Sequence, residues 1–306
     1  MIKDKATLVE VGPRDGFQSV GPFIPTAAKI EIIDALYQAG VRRMEATSFV
    51  SEAALPQLAD AAEIVSASSD WPELDMQVLV PNTRHAKRAI DAGAKHLSIV
   101  VSASERHNLG NIKRTPLESV DGFQEIVEMA PAGTRMRINI ATAFDCPFIG
   151  AVDPEVVLDI TGRMIAIAPD AEVALCDTTG RADPSQVAAL FEQAMSRFSP
   201  ERGWAFHAHD TYGLGAANAL AAWNVGVRVF DASVAGLGGC PFAPGATGNV
   251  ATEDLMWMFS RMGVLEGIDA TRLLASAHSI CELPGAQVGG RVRVAEQGRA
   301  KRRAAA

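Results

Sequence analysis

Two histidines one residue apart, His207 and His209, and the adjacent pair Arg14 and Asp15 are residues whose types and spacing lend themselves to chemistry. Side chains alternate between faces along an extended strand, so His207-Ala208-His209 turns both imidazoles to one side. Two imidazoles facing one point offer paired nitrogen donors to a metal ion. Asp15 can add a carboxylate and Asn249 a neutral amide oxygen, with no thiolate spacing beside them. Mixed oxygen and nitrogen ligation suits Mg2+ or Mn2+ in octahedral geometry. Asn249 also stands where it would N-cap the helix pattern that follows it.

Arg14 then places a cation next to that ion, where a guanidinium can stabilise an oxyanion or enolate developing on a bound carbonyl. Its plain alternative is a salt bridge to Glu45 or Asp177, residues that can equally position Arg14 or relay protons. Residues 233–254 read SVAGLGGCPFAPGATGNVATED, five glycines and two prolines around a lone cysteine, Cys240. Such a stretch is either a glycine-rich connector or a mobile loop that swings a thiol over the metal site. A thiol whose pKa is lowered by a metal or a cation can act as an acid or base.

The elements that must position these groups alternate along the chain. Short apolar runs at 7–11, 42–46, 76–80, 96–101, 135–140, 172–175, 204–208 and 229–234 read as strands. Helical patterns follow at 25–38, after Leu55, after Asn82, at 117–128, from Pro154, from Pro184, at 214–223 and at 251–262. Alternation of this kind implies parallel strands with right-handed crossovers. Eight such units in this length predict a (β/α)8 TIM barrel, with one further helix at 271–281 that caps it or serves an interface. Catalytic groups of such barrels sit at the C-terminal strand ends and the following loops. Arg14, Asp15, Glu45, Asp177, His207, His209 and Cys240 all fall at such positions.

Composition narrows the classes. The 306 residues carry a net charge of −8, which argues against a nucleic-acid surface. The basic tail from Arg291 to Arg303 is expected to be solvated and disordered, with no function. Four widely spaced cysteines without a CxxC pair fit free thiols in a reducing compartment. A strand pattern begins within about seven residues of Met1, which leaves no room for a targeting peptide, and no apolar run reaches the ~18 residues of a membrane span. The expectation is a cytoplasmic protein. A P-loop and a GxSxG elbow are absent, and Pro241 occupies the third-glycine position of a dinucleotide fingerprint.

Four segments, VEVGPRDGFQS, MEATSFVS, HAHDTYG and the 233–254 loop, make the chain resemble the hydroxymethylglutaryl-CoA lyase family of metal-dependent TIM barrels, from about Thr7 to Leu283. The resemblance implies a single barrel domain over about 7–262, with a helical extension and basic tail over 263–306. It implies cleavage of a 3-hydroxy-acyl-CoA to acetyl-CoA and a keto acid, acetoacetate when the substrate is hydroxymethylglutaryl-CoA. Asp15, His207, His209 and Asn249 would hold the divalent cation, Arg14 would collect the enolate charge, and Cys240 would protonate the enolate carbon. Glu45, Asp177 and Glu253 match supporting positions, and a homodimer is implied. Gln18, Ser48, Asn139, Ala141 and His107 are candidates for the acyl pocket. Better-known lyases carry Tyr and Ser where this chain has Asn139 and Ala141, and the SASERHNLGNIKRT loop also departs from the usual pattern. Citramalyl-CoA and longer-branched 3-hydroxyglutaryl-CoA thioesters therefore compete as substrates. A Claisen-type synthase, a 4-hydroxy-2-oxo acid aldolase and a non-catalytic barrel are the remaining alternatives.

Overall fold

The computed structural model describes residues 5–239 and 248–304. Its strands and helices alternate in chain order: β1 Thr7–Glu10, α1 Thr26–Gln38, β2 Arg43–Ser48, α2 Ala61–Ser66, β3 Asp75–Leu79, α3 Thr83–Asp91 and β4 His96–Ser102. After α4 Glu105–Ile112 and α5 Pro116–Met129 come β5 Arg135–Ala141 and a small hairpin, β6 Asp145–Cys146 with β7 Gly150–Ala151. The chain continues through α6 Pro154–Ile167, β8 Glu172–Asp177, α7 Pro184–Phe198, β9 Trp204–Ala208, α8 Gly215–Asn224, β10 Val229–Ala232 and α9 Thr252–Arg261. Two further helices follow, α10 Ala270–Cys281 and α11 Arg291–Ala304.

The eight longer strands close into a parallel barrel in the order β1-β10-β9-β8-β5-β4-β3-β2. This is the (β/α)8 barrel that the alternation predicts. Helix starts follow local rules. Thr115 and Glu118 form a reciprocal capping box ahead of α5, with Pro116 in the first turn. Asp183 and Gln186 do the same for α7, whose first residue, Pro184, presets φ.

Two layers of packing hold the barrel. Between strands and helices, Phe123, Phe191, Phe206, Phe230 and Phe259 are fully buried with Ile33, Leu36 and Leu97. Truncating one such aromatic to alanine would cost about 3–5 kcal/mol. Inside the barrel the apolar fill is small, Ala174, Cys176 and Ala205 against Val229. Charged side chains occupy the rest. Arg43 hydrogen-bonds Glu172 at 2.9 Å and lies 3.0 Å from Asp75, and Arg137 hydrogen-bonds Glu172 at 3.0 Å and Asp231 at 2.7 Å. Buried charges are tolerated only when paired in this way. The barrel interior is thus largely an ion-pair lattice.

The C-terminal segment corrects the expected disorder of the tail and the expected single extra helix. Asp254 accepts the backbone N–H groups of Arg291 and Val292 at 2.8–3.0 Å, which caps the start of α11. Gly289 N–H donates to the Ala235 carbonyl at 2.8 Å, so the segment before α11 is tied to the base of the loop after β10. No helix among the described residues is long and apolar enough to cross a membrane.

Candidate active site at the barrel mouth

Arg14 and Asp15 lie in a single π-helical turn, Gly12–Gly16, immediately after β1. Such turns widen the helix by one residue and often occur at functional sites. Here the turn is pressed against its surroundings: a Cβ at Gly12 would lie 2.7 Å from Glu10 Oε1. Glu10 is what anchors the turn. Its Oε1 accepts from Gly12 N–H at 2.8 Å and Val234 N–H at 2.9 Å, and its Oε2 accepts from the Thr252 hydroxyl at 2.6 Å. One buried carboxylate thus ties together the loop after β1, the loop after β10 and the start of α9. Burial pushes the Glu10 carboxyl up to about 7 despite those three donors.

Asp15, His207 and His209 come together, each offering a donor atom within 4.8 Å of the others. His209 Nε2 is 4.0 Å from Asp15 Oδ2, and the two imidazole centroids are 5.2 Å apart. Asn249 joins them from the far end of the glycine-rich stretch. Its Nδ2 donates to Asp15 Oδ2 at 2.8 Å and to the Leu237 carbonyl at 3.2 Å. The amide is thereby fixed with its buried Oδ1 lacking a hydrogen-bond partner among the described residues. An unsatisfied buried oxygen beside a carboxylate and two imidazoles is what a divalent cation would complete, so the residues present fit such an ion. Asn249 does not N-cap the following helix. That position is Ala251, and Asn249 pairs with His209 in a β-bridge instead.

The charges at the mouth interlock. Arg14 Nε donates to Glu45 Oε1, and its Nη1 donates to Asp15 Oδ1 at 2.5 Å. Gln18 Nε2 also donates to Asp15 Oδ1, at 3.1 Å. Burial on its own would raise the Asp15 carboxyl. Arg14 first, then His207 and His209 in their protonated forms and the Asn249 amide, outweigh it and hold Asp15 well below the usual carboxylate range. His209 is pushed down to about 4, first by burial and then by His207, so its ring is neutral at pH 7 and available as a ligand.

The other expected residues scatter. Asp177, at the end of β8, turns into its own loop and accepts from Arg181 N–H at 3.1 Å and Ala182 N–H at 3.2 Å. Burial raises it to about 7. The alternative salt bridge from Arg14 therefore goes to Glu45, not Asp177. Glu253, in the first turn of α9, is buried; its Oε2 accepts from Ala235 N–H, just after β10, at 3.0 Å and its Oε1 lies 3.9 Å from Arg293 Nε. Ser48 is buried at the end of β2 with no hydroxyl partner among the described residues. Asn139 faces the barrel interior, with Nδ2 donating to Ser98 Oγ at 2.8 Å and Oδ1 accepting from Arg137 Nε at 3.1 Å. Ala141 ends the same strand. His107 is buried on α4, its Nδ1 2.6 Å from Ser102 Oγ. Cys240 lies outside the described residues.

Sequence reasoning missed Asp231. It aligns with His207 in the β10–β9 register, and its Oδ2 is 3.0 Å from His207 Nδ1. The available signal was a lone acid inside the apolar run VRVFDASV, at the parity of the inward-facing positions.

Fold and site together define a (β/α)8 barrel with a mixed carboxylate–imidazole–amide centre at its C-terminal face, the arrangement of a metal-assisted enzyme. The chain belongs to the HMGL-like family, whose model matches residues 5–280. It is 40% identical over 276 residues to the mitochondrial hydroxymethylglutaryl-CoA lyase of Bos taurus, spanning 90% of this chain and 84% of the relative. It is also 40% identical over 285 residues to the (R)-citramalyl-CoA lyase of Chloroflexus aurantiacus, spanning 90% and 89%. A solved HMG-CoA lyase from Acinetobacter baumannii, in complex with coenzyme A and 3-methylmalate, superposes with a TM-score of 0.90 at 39% identity, covering 95% of each chain.

Proposed function

We propose that this protein is a divalent-metal-dependent carbon–carbon lyase that cleaves 3-hydroxy-3-methylglutaryl-CoA to acetyl-CoA and acetoacetate. The observation that carries the reading is the convergence of Asp15, His207, His209 and the unpartnered Asn249 amide oxygen beside Arg14. A divalent ion held by those four residues, Mg2+ or Mn2+ by its donor set, would supply Lewis acidity toward the substrate's 3-hydroxyl.

The chain's own groups handle the charge that cleavage generates. A base takes the 3-hydroxyl proton, C3 becomes a carbonyl as the C2–C3 bond breaks, and the bonding pair moves onto the thioester as an enolate. Among the described residues Arg14 has Nε on Glu45 and Nη1 on Asp15, and its Nη2 would donate to that enolate oxygen. The pairing with two carboxylates keeps the guanidinium in one orientation before substrate arrives, so little reorganisation accompanies the reaction. Cys240, carried by the glycine-rich stretch, gives its proton to C2 and completes acetyl-CoA. Glu253 supports the start of that stretch through Ala235 N–H.

A second reading, cleavage of citramalyl-CoA, is favoured by the equal identity to the Chloroflexus aurantiacus enzyme. Both substrates share the bond that breaks and differ in the acyl group, near which Ser48, Asn139, Ala141 and His107 would lie. Incubating the purified protein with a panel of 3-hydroxy-acyl-CoA thioesters and following acetyl-CoA release tests both. Preference for hydroxymethylglutaryl-CoA supports the first reading, preference for citramalyl-CoA the second, and release from neither overturns both. The reading further takes the assembly as a homodimer, which light scattering checks, and the compartment as the cytoplasm, in keeping with the cytoplasmic relative of Mus musculus.

A further inference from the structure

The inward-facing charges below the metal-binding residues form a continuous line across the barrel. Asp231 on β10 faces His207 on β9, with Oδ2 and Nδ1 3.0 Å apart. The same carboxylate takes Arg137 Nη2 on both oxygens, at 2.8 and 2.7 Å. Arg137 on β5 is held in turn by Asn139 Oδ1 on Nε at 3.1 Å and by Glu172 Oε1 on Nη1 at 3.0 Å. Glu172 on β8 is gripped by Arg43 on β2, Nη1 at 3.0 Å and Nη2 at 2.9 Å. Arg137 and Asp231 are 1% and 4% exposed, so these bonds are shielded from water.

We infer that Asp231, locked by Arg137, is the positioning residue that commits His207 to metal binding. This rests on the reading that Asp15, His207 and His209 hold a divalent ion. A carboxylate only accepts, so the hydrogen on a neutral His207 ring sits on Nδ1 and leaves the Nε2 lone pair for the mouth. Arg137 fixes the position of the acceptor, because its guanidinium is bonded on three edges to β5, β8 and β10 and cannot swing. The second imidazole has no such brace: His209 Nδ1 has no hydrogen-bond partner among the described residues. Of the two histidines, His207 is therefore the pre-oriented ligand, and its orientation is set by residues that touch neither metal nor substrate. Outer partners of this kind change metal affinity by about 10- to 100-fold.

The test reads metal affinity and the His207 tautomer, not turnover. Mn2+ binding is measured by the electron-paramagnetic signal of free Mn2+ for wild type, Asp231→Asn, Asp231→Ala, Arg137→Gln, Asp15→Asn and His209→Ala. Nitrogen-15 spectra of the metal-free wild type, at a pH where His207 is neutral, give its tautomer without any substitution. The expected result is a Mn2+ Kd raised about 10- to 100-fold in Asp231→Ala and by a smaller factor in Arg137→Gln, with the wild-type ring protonated on Nδ1. Wild-type affinity in both Asp231 variants, or a wild-type ring protonated on Nε2, overturns the positioning role. Wild-type affinity in Asp15→Asn and His209→Ala overturns instead the metal reading beneath it. A role in folding alone would lower thermal stability while leaving the affinity of the folded fraction unchanged, and that outcome also overturns the inference.

Discussion

Asn249 Nδ2 donates to Asp15 Oδ2 at 2.8 Å across 234 residues of sequence, and this contact ties the exit of the glycine-rich stretch to the turn after β1. Substituting Asn249 with alanine removes both the tether and the free amide oxygen. Asn249→Ala should weaken Mn2+ binding at least about tenfold, since a donor to the ion is lost as well as an orienting bond. Titration calorimetry against wild type checks it; an unchanged Kd would remove Asn249 from the ligand set.

Arg14 offers a cleaner separation of binding from chemistry. If its guanidinium meets charge that exists only as the bond breaks, Arg14→Met should lower kcat about 100- to 1000-fold with a much smaller change in KM. Steady-state kinetics at saturating metal makes the comparison. A rise in KM with kcat preserved would mean that Arg14 binds the ground state.

Cys240 is expected to move a proton and not to bind metal. Cys240→Ser should cut turnover at least about tenfold to a hundredfold while metal content, read by elemental analysis, stays at the wild-type level. Turnover close to wild type would end the catalytic role of the glycine-rich stretch.

Glu10 makes a prediction about pH. Burial raises its carboxyl from an ordinary 4.5 to about 7 in the folded protein. Between those values the native state holds a proton that the unfolded chain has released, so the native state binds more protons and unfolding free energy falls as pH rises. Glu10 thus costs stability progressively from about pH 4.5 to 7, and the cost is constant above. Glu10→Gln cannot ionise and should flatten that segment of the stability–pH profile, measured by urea unfolding at several pH values. An unchanged slope would show that Glu10 does not titrate in this window.

Asp254 tests the C-terminal helix. It caps α11 through Arg291 and Val292 N–H, so Asp254→Ala should increase amide hydrogen exchange over residues 291–304 and leave β9 and β10 protected. Exchange equal to wild type would mean that packing alone holds the helix.

How far these features could be read from the chain depends on where their partners lie. The eight strands were legible because parallel barrel strands are buried on both faces and appear as short apolar runs. The His207–His209 pair and the Arg14-Asp15 turn were legible because alternation and adjacency are local. Asp231 and Arg137 were not, since each acquires meaning only when β5 and β10 face one another across the barrel, 94 residues apart. The chain from 291 to 304 reads as a solvated basic tail because the contact that anchors its start is made by Asp254, 37 residues earlier. Asn249 reads as an N-cap because that is the usual use of an asparagine before a helix, and only the approach of Asp15, from the other end of the chain, redirects its amide.

The most direct measurement is acetoacetate and acetyl-CoA formation from hydroxymethylglutaryl-CoA, by wild type and Asp15→Asn, with Mg2+ or Mn2+ and with a chelator. A metal-dependent lyase built on Asp15, His207, His209 and Asn249 predicts equimolar products from wild type with metal, and none above background with chelator or from Asp15→Asn. Undiminished product with the chelator present, or from Asp15→Asn, would contradict it.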